Sequence, residues 1–116
     1  MGKTDRTPLA GKRILVTGGT TGIGRATVKM LVEEGARVLT FGRHQPELDA
    51  SLENAAGGAG EVSGLTADSS TREGVEQVFA ALDERLGGID MLVCCAALGA
   101  GPLGEEDGGR YIVETN

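Results

Sequence analysis

The run Arg13-Ile14-Leu15-Val16-Thr17-Gly18-Gly19-Thr20-Thr21-Gly22-Ile23-Gly24 changes its periodicity half-way, and that change decides the fold. Through Thr17 it is short, apolar and β-branched and stops at a glycine pair, as a buried strand does. From Gly22 the spacing is helical. Ile23, Ala26, Thr27, Met30 and Leu31 fall at i, i+3, i+4, i+7 and i+8, which predicts an amphipathic helix with those residues as its apolar stripe. Glycines between strand and helix permit a tight turn and the close approach of a ligand. The helix N-terminus beyond them offers free N–H groups to a phosphate. The spacing is G-x-x-x-G-x-G, and no Lys-Ser or Lys-Thr follows the last glycine, which excludes a Walker loop. Arg25, directly after the motif, reads as a helix-surface charge.

The same alternation continues down the chain. Gly35 stands where a helix end needs a residue tolerant of the left-handed conformation. Ala36–Phe41 reads as a second strand, stopped by Gly42. A weaker helix follows from about Pro46, with Leu48, Leu52 and Ala55 inward. Glu61–Ala67 is a poorer third strand. Ser70 or Thr71 caps the next helix, whose stripe is Val75, Val78, Phe79, Leu82 and Leu86. Ile89–Cys95 is the fourth strand. Strands separated by helices are parallel, and right-handed crossovers place helices on both faces of the sheet. The expected architecture is α/β, a partial Rossmann-type doubly wound parallel sheet of four strands in the order 3-2-1-4. Residues 1–10 read as a polar N-terminal segment and 11–116 as one domain.

Composition narrows the function. A length of 116 residues suits one domain. A net charge of −6 without any basic cluster argues against nucleic acid or an anionic membrane as partner. No run approaches the length of a membrane span, and the polar N-terminus is unlike a signal peptide, so a soluble cytoplasmic protein is expected. The 20 glycines fall in short groups, four of them adjacent pairs, without a fixed period, which marks turns rather than low complexity. The only cysteines are the adjacent Cys94 and Cys95. Neighbours on a strand point to opposite faces, zinc wants four ligands, and thioredoxin chemistry wants two intervening residues. A redox or metal centre is therefore not expected there. Both cysteines read instead as small apolar side chains of a buried strand.

Thr17-Gly18-x-x-x-Gly22-Ile23-Gly24 resembles the signature of the short-chain dehydrogenase/reductase family, NAD(P)-dependent oxidoreductases with a Rossmann fold. Three further stretches follow in register. Asp68 resembles the family's acidic residue that binds the adenine ring. Gly88–Ala97 resembles its G-x-D-x-L-V-N-N-A-G, with Cys94-Cys95 in place of Asn-Asn and Ala97 in place of Gly. Tyr111–Asn116 resembles the helix ending in the Asn of its catalytic tetrad. The resemblance implies a dinucleotide held by Gly18, Thr20, Thr21, Gly22, Ile23, Gly24, Asp68, Ser69, Cys95, Ala96 and Ala97, with Asn116 as a catalytic group. Asp68 has an alternative role as N-terminal cap of the following helix.

An NAD enzyme places a carboxylate at the end of the second strand, where it accepts from the ribose 2′-OH. Gly42 stands there, and the next residue is Arg43, whose planar fork suits a 2′-phosphate; NADP(H) is the expected cofactor. The alternative for Arg43 is a solvated loop residue. Carbonyl reduction in the family needs a Ser and a Tyr-x-x-x-Lys. Four residues after Tyr111, the only tyrosine, stands Thr115. Two readings stay open: the cofactor-binding part of a reductase for a carbonyl or alcohol substrate, inactive alone, or a non-catalytic nucleotide-binding module. In either, the fourth strand is an apolar open edge, so self-association as a homo-oligomer is expected.

Overall fold

The computed structural model describes residues 9–95, in which four strands alternate with three helices. They are β1 (Arg13–Thr17), α1 (Gly22–Glu33), β2 (Arg37–Gly42), α2 (Gln45–Ala55), β3 (Glu61–Thr66), α3 (Arg72–Arg85) and β4 (Met91–Cys94). Every pairing is parallel and the sheet order is β3-β2-β1-β4, as the alternation predicts. Ile14 lies level with Val38 on one side and Met91 on the other, and Val38 lies level with Val62.

Successive residues of a strand point to opposite faces, so the central strands feed two apolar layers. Ile14, Val16 and Val38 pack with Val28, Leu31 and Val32 of α1 and Ala55 of α2. Leu15, Leu39 and Phe41 pack on the other face with Val78, Ala81 and Leu82 of α3 and with Leu86 beyond it. Helices thus cover both faces. Gly35 ends α1 with φ +92°, the conformation expected of it. Thr71 caps α3, its Oγ1 accepting from the Gly74 N–H at 2.9 Å.

Leu48 and Ala55 of α2, Val78 and Leu82 of α3 and Leu86 beyond it are buried as predicted, whereas the stripe of α1 is rotated and single residues of α2 and α3 differ. In α1 the buried residues are Gly24, Val28, Leu31 and Val32, whereas Ile23 is 80% and Met30 53% exposed, and Ala26 is exposed as well. The cause is the docking of the helix start: Gly24 lies on the Gly18 backbone, and this turns the 24-28-31 edge inward. In α3 the small residues Gly74 and Ala81 face inward with Val78 and Leu82, leaving Phe79 59% exposed. In α2 a serine, Ser51, is buried between Leu48 and Ala55, and Leu52 is only half-buried.

Opposite the glycine turn, one ion pair ties β4 to β1. Asp90 accepts from Arg13 Nε at 3.0 Å, Nη2 at 3.0 Å and the backbone N–H at 2.8 Å, and returns its own N–H to the Arg13 carbonyl at 2.7 Å. The fork of Arg13 matches both carboxylate oxygens. Its Nη1 also donates to Gly87 at 3.2 Å, and Arg37 donates to the Arg85 carbonyl at 3.1 Å, so two arginines meet the negative end of α3. Donation from the Arg13 side chain, then from its N–H, holds the Asp90 carboxyl well below the usual carboxylate range, against a smaller desolvation cost. A depressed pKa stabilises the fold above the ordinary carboxylate pKa of about 4 and loses that stabilisation as pH falls below it. Asp90→Asn is expected to lower the urea midpoint at neutral pH, with the gap to wild type closing as pH falls below about 4. A gap that stays constant on acidification would refute the ion-pair account.

Candidate functional site

The C-terminal ends of all four strands open on one side, where Thr17 lies level with Cys94 and Gly42 with Thr66. Open parallel sheets bind ligands at this end. The turn from β1 to α1 is built by close approach. Gly18 and Gly22 turn the chain with φ +71° and +55°. Any Cβ on Gly24 would overlap the Gly18 carbonyl, and one on Gly19 would overlap the Thr40 hydroxyl. The motif leaves position 19 free. Its need for glycine comes from Thr40, fully buried in β2, whose Oγ1 donates to the Val16 carbonyl at 3.0 Å.

The result is a surface of donors. The first helical bond of α1 runs from the Arg25 N–H to the Thr21 carbonyl, so the Gly22, Ile23 and Gly24 N–H groups precede the helical ladder. No side chain caps them and no acidic residue stands in the first turn. The positive end of α1 therefore faces outward unopposed, as an anion such as a diphosphate requires. The carbonyls of the turn are held by the protein instead. Thr17 accepts from the Cys95 N–H at 2.9 Å, and Gly19 from Ser51 Oγ at 2.7 Å. Thr20 accepts from Arg25 Nε at 3.1 Å and Nη2 at 2.9 Å. Arg25 is thus a brace of the turn rather than the surface charge expected of it. Nothing in the sequence marks Ser51, because a serine within a helix has no local signature.

Thr20 is buried, with its methyl beside Gly42, while Thr21 and Ile23 are exposed. Further along the same edge, Arg43, Thr66, Ala67 and Asp68 line an open cavity of about 320 Å³. Asp68 Oδ1 accepts from the Ser70 hydroxyl at 2.6 Å and the Ser70 N–H at 2.9 Å. These bonds lower its carboxyl pKa, hydroxyl first, and the charge of Arg43 adds a smaller pull in the same direction. Thr71 rather than Asp68 caps α3, so the capping alternative for Asp68 falls away. Ser69 is exposed beside it.

Cys95 packs on the layer containing Ile14 and Val28, whereas Cys94 is exposed. The pair does point to opposite faces, but the expected burial fails for Cys94: β4 borders only β1 among the described residues. Ala96, Ala97 and Asn116 lie outside the described residues.

The turn, its donors and the strand order agree with one group of enzymes. The sequence profile of the family described as short chain dehydrogenase matches residues 12–111. This chain belongs to the short-chain dehydrogenase family. A tropinone reductase homolog of Arabidopsis thaliana is 47% identical over 74 residues, covering 64% of this chain and 28% of the relative. A short-chain dehydrogenase/reductase of Mycobacterium marinum superposes with TM-score 0.76 at 32% identity, over 90% of this chain and 45% of that one. An actinorhodin polyketide ketoreductase crystallised with NADPH gives TM-score 0.74 at 33% identity, over 90% of this chain and 41% of that one. An NADH-dependent reductase complexed with NAD gives 0.72 at 32%, over 90% and 45%. The chain spans less than half the length of each of these proteins.

The close approach at Gly24 has a measurable sign. Helix propensity alone favours alanine there by about 1 kcal/mol. Overlap with the Gly18 backbone costs about 1–3 kcal/mol and outweighs it. Gly24→Ala is expected to lower the urea midpoint, and a rise would show that the helix does not dock as described.

Proposed function

We propose that this chain is the NADP(H)-binding part of a short-chain dehydrogenase that transfers hydride between NADP(H) and a carbonyl or alcohol substrate. The observation that carries the choice of cofactor is Arg43, at the wall of the cavity that Asp68 also lines, in a position that follows directly from the end of β2. No carboxylate stands at Gly42 to accept from a ribose 2′-OH. A guanidinium at that point offers a planar fork to a 2′-phosphate. Relatives of this fold have been crystallised with NADPH and with NAD, so the family alone does not make the choice.

When bound, the dinucleotide supplies the hydride acceptor or donor. The residues of this chain bind and orient it. The amides at the start of α1 meet the diphosphate, Arg43 the 2′-phosphate, and Asp68, kept ionised by Ser70, accepts from the adenine side. Cys95 stands at the edge of the turn, its N–H fixed on Thr17. The sequence contains no Tyr-x-x-x-Lys to protonate a carbonyl, so these residues are assigned binding without hydride transfer. Separate titrations with NADPH and NADH test the reading. Wild type is expected to prefer NADPH by about tenfold or more, about 1.4 kcal/mol. Arg43→Ala is expected to erase that preference while leaving NADH affinity unchanged. Equal affinity of wild type for the two cofactors would sink the assignment.

The exposed edge of β4 supports homo-oligomerisation as part of this proposal. Leu92 is 54% exposed on a strand that pairs only with β1 among the described residues. Light scattering across a concentration series is expected to show mass growing with concentration, and growing less for Leu92→Lys. A concentration-independent monomer excludes it.

A further inference from the structure

We propose that Arg25 and Ser51 are positioning residues of the dinucleotide site, holding the Thr20 and Gly19 carbonyls back so that the amides of the turn face the diphosphate. The proposal rests on the assignment of this turn to a dinucleotide and not on the choice between NADP(H) and NAD(H). Four carbonyls of the Val16–Thr20 stretch have donors on the protein side: Thr40 Oγ1 at Val16, the Cys95 N–H at Thr17, Ser51 Oγ at Gly19 and the Arg25 fork at Thr20. The fifth, at Gly18, lies under Gly24. The donors come from β2, the end of β4, α2 and α1, so the arrangement is a property of the assembled fold.

The consequence follows from peptide geometry. The described peptides are all trans, and in a trans peptide the C=O of one residue and the N–H of the next point in opposite directions. Fixing the Gly19 carbonyl on Ser51 aims the Thr20 N–H away from α2. Fixing the Thr20 carbonyl on Arg25 aims the Thr21 N–H away from the guanidinium. A rotation of either peptide would present a carbonyl dipole to the diphosphate and withdraw a donor. Ser51 is fully buried, with its hydroxyl committed to Gly19. Arg25 places two donors of its planar fork on one oxygen, which a lysine point charge does not reproduce. The Thr20 side chain, buried beside Gly42, limits the motion of the same peptide.

The test compares Arg25→Lys, Ser51→Ala and wild type in the full chain, below the melting midpoint of each. Three probes are titrated: NADPH, NADH, and 2′-AMP, which carries the adenine and the 2′-phosphate but no diphosphate. Each variant is expected to bind NADPH and NADH more weakly by the same factor, about tenfold. The NADPH-to-NADH ratio and the 2′-AMP affinity stay at their wild-type values. Arg25→Lys is the decisive variant, since it keeps the charge at a partly exposed position and removes only the fork. Unchanged dinucleotide binding by Arg25→Lys overturns the proposal, as does an equal loss of 2′-AMP, which would report general loosening. A wild-type chain that binds neither dinucleotide overturns the site and this role together. A wild type without preference for NADPH overturns only the Arg43 assignment.

Discussion

The structure around the candidate site depends on how closely the first helix approaches the end of the first strand. With Gly24 lying on the Gly18 carbonyl, α1 begins at the sheet edge instead of a side-chain thickness above it. That contact sets the rotation of the helix and hence which residues are core: Val28, Leu31 and Val32 go inward, and Ile23 and Met30 go to the surface. It also brings the uncapped amides of α1 to the mouth of the strands, where the positive end of the helix meets whatever binds there.

The two ends of the sheet are stabilised by different means. At the N-terminal ends of the strands, Arg13 and Asp90 lock β1 to β4, and Arg13 and Arg37 satisfy the last carbonyls of α3 and its following turn. At the C-terminal ends, the turn carbonyls are satisfied by the protein and the α1 amides are left for a ligand. A parallel sheet concentrates its ligand chemistry at one end because its strands all run one way and the crossover helices all run back the other, so helix N-termini gather beside strand C-termini.

Much of this was legible in the sequence, for particular reasons. The middles of Arg13–Thr17 and Arg37–Gly42 are buried and mostly apolar at consecutive positions because both faces of their strands are covered, and a glycine stops each run. A cap at Ser70 or Thr71 was legible because both precede an apolar period, and the structure gives the role to Thr71. Helix faces were less legible. Ile23, Ala26, Thr27, Met30 and Leu31 form a regular stripe, yet only Leu31 is buried, because apolar content does not specify rotation when a helix carries apolar residues on two sides. Phe79 went to the surface for a related reason: Gly74 and Ala81, small enough for a close approach, took the inner face of α3.

The sequence by itself determined the order of elements, the parallel sheet, the glycine turn and its family, because these depend on local periodicity and on residues whose backbone freedom is intrinsic. Only the tertiary structure decided that Gly19 must be glycine, that Thr71 rather than Asp68 caps α3, and that Ser51 and Arg25 hold the turn. The contacts of Gly19 and Ser51 join residues on separate elements, whereas Arg25 and the cap reach partners only a few residues away. Ser51 meets Gly19 across 32 positions of chain and Thr40 meets Val16 across 24. Partners so distant leave no local pattern: they are chosen by the packing of α2 and β2 against the turn, which exists only once the sheet has formed.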